Sequence, residues 1–178
     1  DPTIMAPSDL VLEATGLFTP VSIGDAIAAD NDSGIRAILN NAPEEFSLGV
    51  SKVTWIAFDN AGNTAETYQM ITILACGNVH SDYNLIVGTS DDDFLQGTPA
   101  NDLIFGLNGD DIVSGADGND CIFGGDGDDI LYGNNGDDTI YGADGNDVIK
   151  GHAGADLLFG QLGLDVIDGG SNIDRCNI

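Results

Sequence analysis

The chain is poor in positive charge: its 178 residues include four lysines and arginines against 30 aspartates and glutamates, and the pI is near 4.1. Recognition of a nucleic-acid backbone needs the opposite sign of charge, so nucleic-acid binding is excluded. Long apolar runs are absent too, because no stretch reaches the roughly 18 residues of a membrane span. Since it shows neither a signal peptide nor an initiator methionine, we interpret the sequence as a mature product or a fragment.

Histidine is also scarce. His80 and His152 have no serine or cysteine partner at the spacing of a catalytic motif, and no zinc-binding motif is present. The acidic residues recur at fixed intervals and do not form one isolated pair with opposed environments. We therefore predict that the chain is not an enzyme, and a fragment of an enzyme is the least favoured hypothesis.

Residues 88–178 follow a nine-residue repeat. Ten units begin with glycine, from Gly88 to Gly169, and each has aspartate at its sixth position. The first part of a unit is rich in Gly, Asn and Asp and predicts a tight turn with positive φ angles, whereas the last three residues predict a short strand. Position eight is apolar throughout and should face inward, with positions seven and nine facing outward. Two units then close one coil, and stacked coils form a parallel two-sheet roll.

Stacking places the position-six carboxylates of units n and n+2 at neighbouring turns, about 4.8 Å apart along the stack. Like charges at that distance repel unless a cation neutralises them. Calcium accepts six to eight oxygen ligands in irregular geometry, which magnesium does not tolerate. We therefore predict several calcium ions between the turns and folding that depends on them.

The units resemble the G-G-x-G-x-D-x-U-x nonapeptide of the RTX (repeats-in-toxin) family. The resemblance implies a parallel β-roll whose calcium ions are held by position-six aspartates, position-three side chains and carbonyls at positions such as two and four. The first two units depart from the pattern, with Ser90 and Pro99 at position three, and Asp165 and Asp174 near the end are interpreted as structural. Transferred to this sequence, the metal ligands are Asp93, Asp102, Asn108, Asp111, Asp117, Asp120, Asp126, Asp129, Asn135, Asp138, Asp144, Asp147 and Asp156.

Residues 1–76 contain no repeat and predict a separate domain. Apolar segments separated by turn signals predict the strands of a small β-sandwich, and the turn after the fourth segment predicts a hairpin. The segments are 9–14, 20–28, 35–39, 49–59 and 65–74. The predicted fold class is therefore all-β, with a sandwich at 1–76, a linker and first strand at 77–87, and a roll of ten nonapeptides at 88–178.

The N-terminal residues resemble the hyalin repeat (HYR) family, an immunoglobulin-like module. The matching features are Pro7 with 10–16, the strand at 53–59, the turn at 61–64 and the final strand. The resemblance implies an immunoglobulin-like β-sandwich with an extracellular role in adhesion or spacing. The cysteines usual in that family are missing here.

Two outward apolar surfaces are predicted. Val53, Trp55 and Ala57 should face the core of the sandwich, which turns the intervening side chains outward. The resulting outer patch comprises Ile56, Phe58, Tyr68 and Met70. Position nine of the even units forms an aromatic ladder, which comprises Phe105, Phe123, Tyr141 and Phe159. The alternative for the patch is that these are scattered surface residues, or that the predicted strand phase is shifted by one residue. The ladder either stabilises the roll by its own stacking or is covered by the linker, the sandwich or another subunit.

The three cysteines leave one without a partner. Five coils, roughly 24 Å, separate the levels of Cys76 and Cys176, whereas a disulfide needs a Cα separation of about 4.4–6.8 Å. Cys121 lies at an outward position seven on the ladder face, within reach of the segment that follows Cys76. We predict a Cys76–Cys121 disulfide, in agreement with secretion, and a Cys176 that is free or bonded outside the chain.

These features favour an extracellular or cell-surface calcium-binding protein with a structural or adhesive role. A more specific hypothesis is that the protein assembles into filaments or layers through the outer patch, the aromatic ladder or the end of the roll. The end of the roll is included because the last unit ends at Ile178 without a polar cap. The alternative is a calcium-triggered secretion and folding module cut from a larger RTX exoprotein or exoenzyme.

Overall fold

The structure is a computed structural model that describes residues 1–177, and it divides into two compact units. The first unit is Asp1–Leu74 and the second begins at Ala75. Strands dominate both, as the sequence predicts, and the one helix in the described part is the 3₁₀ turn His80–Asp82. Within residues 1–177, no helix has the length and apolar character to cross a membrane. The predicted open end at Ile178 lies outside the described residues.

The first unit contains a four-stranded sheet in the order β2-β8-β7-β5 and two two-stranded ribbons, β1-β4 and β3-β6. Only the β2-β8 pair is parallel. The strands are β1 Thr3–Met5, β2 Leu10–Glu13, β3 Phe18–Pro20, β4 Ile27–Ala29, β5 Ile35–Asn40, β6 Glu45–Ser47, β7 Gly49–Asp59 and β8 Thr64–Leu74. The strand predicted over 20–28 is wrong: residues 21–26 belong to no sheet, because Gly24, with a φ of +73°, departs from the extended conformation. The immunoglobulin-like sandwich stays a prediction.

Strands β7 and β8 form the long hairpin that the sequence predicts. Its turn is closed by Asp59, whose Oδ1 accepts from the backbone N–H of Asn63 at 2.8 Å. Val53, Trp55 and Ala57 are buried, so the predicted strand phase is confirmed. Alternate residues therefore point away from the core on the outer side of the sheet.

The outer patch is exposed at its centre. Tyr68 is 59% exposed, and the other three members are half-buried. Lys52 Nζ lies 4.7 Å from the ring centroid of Tyr68, and the Arg36 guanidinium lies 5.7 Å from that of Phe58. Two of the four basic side chains of the chain therefore contact this surface.

The second unit is a parallel solenoid of about five turns, which confirms the predicted β-roll. One sheet has the order β10-β12-β14-β16-β18 and the other β19-β17-β15-β13-β11-β9. Paired residues are 18 positions apart, for example Ile122 with Ile140, so two units make one coil. The strands are β9 Asn84–Val87, β10 Phe94–Gln96, β11 Asp102–Asn108, β12 Ile112–Asp117, β13 Cys121–Asp126, β14 Ile130–Asn135, β15 Thr139–Asp144, β16 Val148–Ala153, β17 Leu157–Leu162, β18 Val166–Ser171 and β19 Arg175–Asn177.

The position-eight side chains fill the space between the two sheets. They form one core from two facing columns, one on each sheet, in which the seven central members are fully buried and apolar residues at both ends pack on them. Branched and aliphatic side chains suit this core because each contacts its copies one coil above and below. The buried members are Ile104, Val113, Ile122, Leu131, Ile140, Ile149 and Leu158.

The aromatic ladder is confirmed as a continuous stack. Successive ring centroids along it are 4.9, 4.9 and 4.8 Å apart, at interplanar angles of 12° or less. Phe105 and Phe123 are buried, whereas Tyr141 and Phe159 are half-buried. The predicted Cys76–Cys121 disulfide is also confirmed, with its Cα atoms 6.0 Å apart, and Cys176 is free and exposed.

Candidate metal centre

The position-six aspartates lie where each turn enters the next strand, with their carboxylates folded under the turn. From Asp102 to Asp156 their side chains are at most 2% exposed. From Asp111 to Asp174 one oxygen, Oδ1, accepts the backbone N–H of the position-six residue one coil earlier, at 2.8–3.0 Å. Each of these carboxylates is therefore held in place by the repeat itself, because its donor lies 18 residues earlier in the chain and directly beside it in the stack.

The other oxygen, Oδ2, has no protein partner in most of the units. It is buried and accepts no hydrogen bond within the described residues in seven aspartates, and such an oxygen carries a large desolvation cost unless a cation or a donor reaches it. The seven are Asp111, Asp120, Asp129, Asp138, Asp147, Asp156 and Asp165.

The position-one glycines form the floor of each turn. A Cβ placed on Gly124 would collide with Asp129 Oδ2 and lie 2.7 Å from the carbonyl oxygen of Gly142, one coil further on. The same pair of oxygens surrounds Gly106, Gly142 and Gly151. Glycine is therefore required here because a carboxylate and a main-chain carbonyl both occupy the space of a side chain.

Burial changes the acidity of these carboxyl groups. It raises the pKa of Asp120, Asp129 and Asp138 from the ordinary 3.8 to about 7, and that of Asp147 to about 6, with neighbouring carboxylates adding to the shift. The hydrogen bond from the preceding coil opposes this rise only in part. Without a cation, the turns therefore favour protons on groups that are normally ionised at neutral pH.

The first two units differ from the rest. Asp93 Oδ2 accepts from both the backbone N–H and the hydroxyl of Thr89, at 2.6 and 2.9 Å. Asp102 Oδ2 accepts in the same way from Thr98, at 2.7 and 3.1 Å. Both aspartates belong to the predicted ligand set, and the structure gives each of them protein donors. Asp165, interpreted from sequence as structural, instead has the same unpaired Oδ2 as the central units.

The position-three side chains lie on the outside of the turns. All five predicted members are exposed, and one of them, Asn135, donates its Nδ2 to Asp117 Oδ1 at 2.8 Å across a coil. Their role as ligands stays a prediction, although Asp117 lies close enough to Asp120 to contribute to the raised pKa of that carboxyl. The exposed set is Asn108, Asp117, Asp126, Asn135 and Asp144.

The position-five side chains form a ladder that the sequence reasoning missed. Each accepts, through Oδ1, the backbone N–H of the position-five residue in the next coil at 2.8–3.0 Å. The sequence signal is the preference for Asp or Asn at this position, which suits a side chain that accepts a main-chain hydrogen bond. The accepting residues are Asp92, Asn101, Asp110, Asn119, Asp128, Asp137 and Asn146.

The donor set fits a hard cation. Within residues 1–177, no three His, Cys, Asp or Glu side chains converge as a ready-made cage, so main-chain oxygens have to complete any site. The turns supply carboxylate and carbonyl oxygens with no nitrogen or sulfur among them, which is the chemistry that calcium selects. A bound calcium ion would neutralise the carboxylates of neighbouring turns and bind the unpaired Oδ2 atoms.

Fold and turns together define a cation-binding parallel β-solenoid. Residues 87–122, 115–149 and 141–176 each match the family profile of the RTX calcium-binding nonapeptide repeat, and together they cover just over half of the chain. The chain belongs to this family, and calcium is the ion of its repeats. The comparison with curated proteins finds no match.

Proposed function

We propose that the protein is an extracellular structural or adhesive protein whose roll folds and stiffens when calcium binds between its turns. The observation that carries the proposal is the row of seven buried Oδ2 atoms without a hydrogen-bond donor. Each costs free energy in the calcium-free roll and becomes favourable when a divalent cation reaches it. Binding free energy is then folding free energy, as in other small metal-dependent domains. We assign the protein no catalytic role.

A calcium titration followed by circular dichroism tests the calcium-dependent step. We expect additional strand signal to appear cooperatively with calcium, and magnesium, which demands near-ideal octahedral geometry, to fail as a substitute. An unchanged spectrum and an unchanged thermal midpoint after chelation would refute calcium-driven folding.

The extracellular assignment rests on three supports. Members of the repeat family typically occur in secreted proteins. The Cys76–Cys121 disulfide suits an oxidising compartment. The first unit, with its long β7-β8 hairpin and additional ribbons, is compatible with the immunoglobulin-like HYR module that its sequence resembles. In this proposal the first unit contacts neighbouring molecules, and the roll is the calcium-stiffened spacer.

We further propose that copies of the chain assemble through the outer patch. Its central residue, Tyr68, is exposed, and Leu39 and Val50 of the same sheet are also 57% and 62% exposed. Half-burial of the aromatic ladder makes that surface the weaker candidate, although the ladder stays part of the proposal. Light scattering with chromatography should give a larger mass in calcium for the natural chain, and Tyr68→Glu should abolish it. Leu164→Glu, at an 85% exposed position on the roll, is the matched control.

The alternative proposal is a calcium-triggered secretion and folding module. It is supported by the same buried carboxylates, because their burial without a cation and their mutual repulsion both disfavour the folded coils where calcium is low. A catalytic domain in the full gene would favour this alternative. A chain that stays monomeric in calcium would count against self-assembly and would favour the hypothesis of a secretion and folding module.

A further inference from the structure

The roll has two classes of turn, which differ in backbone conformation. In the third to tenth units, position two has positive φ, including at non-glycine residues such as Leu107, Ala116 and Asn134. The first two units place Thr89 and Thr98 there, and neither has positive φ. A β-branched side chain disfavours the left-handed region, so threonine selects the other class of turn.

The conformation of position two determines which groups surround the Oδ2 atom of the position-six aspartate. In the first two units, the N–H and hydroxyl of threonine both donate to the position-six Oδ2. The carboxylate also lies further from position one: an ideal Cβ on Gly88 or Gly97 would be 2.9 Å from its Oδ2 atom, whereas from Gly106 to Gly151 it would be 2.1–2.3 Å from that atom. A charged oxygen with two donors is satisfied, which removes the reason for a cation at these two turns.

Two further features stabilise the same end of the roll. The Cys76–Cys121 disulfide closes a loop with a sequence separation of 45 that contains the whole first coil, residues 84–105. Strand β11 is buried on both faces from Asp102 to Gly106, and so is β13, which carries the second half of the disulfide, from Cys121 to Gly124, whereas β14 to β17 alternate between buried and half-buried residues before their exposed ends. Cross-linking and two-sided apolar burial both favour the folded state without any ion.

We propose that the first coil, residues 84–105, is a calcium-independent cap in which Thr89 and Thr98 replace the ion as partners of Asp93 and Asp102. The cap presents ready-formed strand edges on β10 and β11. The calcium-dependent coils then add to it from β12 onward, so folding proceeds from the N-terminal end of the roll. The proposal rests on calcium binding by the later units and is independent of the adhesive role.

Hydrogen exchange of the full disulfide-bonded chain, read by mass spectrometry with and without a chelator, tests the cap. In chelator, we expect residues 84–105 to exchange slowly and residues 126–177 to exchange rapidly, and calcium should slow only the latter. Rapid exchange of 84–105 in chelator, with a calcium response in 126–177, would overturn the cap alone. Absence of any calcium response in 126–177 would instead refute calcium-driven folding.

Substitution at position two supplies the sharper test. The double variant Thr89→Gly/Thr98→Gly removes both hydroxyls and permits the left-handed turn, so protection of 84–105 in chelator should fall about tenfold or more, since hydrogen bonds to a charged group are lost. Ala116→Gly, at the same repeat position of a later unit, should leave that protection unchanged. Equal protection in the double variant and the control would overturn the proposal.

Ion counting gives a readout that does not depend on the stability of the cap. Asp93→Asn/Asp102→Asn should leave the number of bound calcium ions unchanged in equilibrium dialysis, whereas Asp129→Asn/Asp138→Asn should lower it. A loss of ions in the first variant would place calcium at the first coil and refute the substitution of threonine for the ion.

Discussion

Asp129→Asn should change the stability of the roll in opposite directions with and without calcium. The replacement keeps the size of the side chain and the Oδ1 atom, which accepts the N–H of Asp111 at 2.8 Å. It removes the negative charge of an oxygen that is buried and has no donor. The substitution therefore removes both the cost of burying this charge without an ion and the attraction between the charge and a bound ion.

The magnitude follows from the acidity of the group. Burial raises the pKa of Asp129 to about 7 from 3.8. At about pH 8, ionising it in the calcium-free roll costs at most on the order of 4 kcal/mol, since one pKa unit corresponds to about 1.4 kcal/mol and solvent screening lowers the cost. Asp129→Asn removes this cost, so the chelated roll should become more stable by up to that amount. In calcium, the variant lacks a charged ligand beside a buried cation and should lose about 3–5 kcal/mol.

Asp128→Asn is the matched control because it removes the same charge from the neighbouring residue. Asp128 is exposed, and its Oδ1 accepts from the backbone of Asn146 at 2.8 Å, a hydrogen bond that asparagine can also accept. We expect a change below about 0.5 kcal/mol in either condition.

The assay is thermal unfolding by circular dichroism at about pH 8, once in excess calcium and once in chelator. Opposite shifts of the midpoint for Asp129→Asn, with Asp128→Asn unchanged, are the expected result. If Asp129→Asn lowers the midpoint in both conditions, or if the two variants behave alike, the buried carboxylate does not face the ion and the reasoning is refuted.

Three other predictions concern the core, the disulfide and pH. Leu131→Ala leaves a cavity at a fully buried position in the core of the roll and should lower the free energy of unfolding in calcium by about 3–5 kcal/mol, measured by denaturant unfolding. Leu164→Ala, at a largely exposed position, is the control, and an equal loss in both variants would contradict the role of core packing. Cys76→Ser opens the loop closed by the disulfide and should cost about 4 kcal/mol on the chain-entropy model, whereas Cys176→Ser should cost nothing measurable. The carboxyls with a raised pKa bind more protons in the folded roll, so without calcium its stability should be higher at about pH 5 than at about pH 8, falling as pH rises from about 4 to about 7. A midpoint in chelator that rises over this range would refute it. Calcium affinity should weaken as the pH falls below about 7, because protons compete for the same oxygens.

Much of the roll could be predicted from sequence because the residue pattern that specifies each turn and strand is local and recurs in every unit. An apolar residue at position eight recurs every nine residues, and that alone places Leu131 and Ile140 in the same core, on facing sheets. The disulfide followed from the same geometry, since only Cys121 lies within reach of Cys76. The strand over 20–28 was predicted wrongly because the alternation of apolar residues does not reveal the positive φ that Gly24 adopts.

The sequence by itself determined the repeat, the inward and outward faces of its strands, and the family to which the chain belongs. The partner of each carboxylate oxygen was decided only by tertiary structure, because the donors and neighbouring oxygens come from a coil 18 residues away or depend on the φ of position two. Aspartates that are identical in the repeat pattern therefore differ physically: Asp93 and Asp102 are satisfied by threonine, whereas Asp129 is buried with one oxygen unpaired.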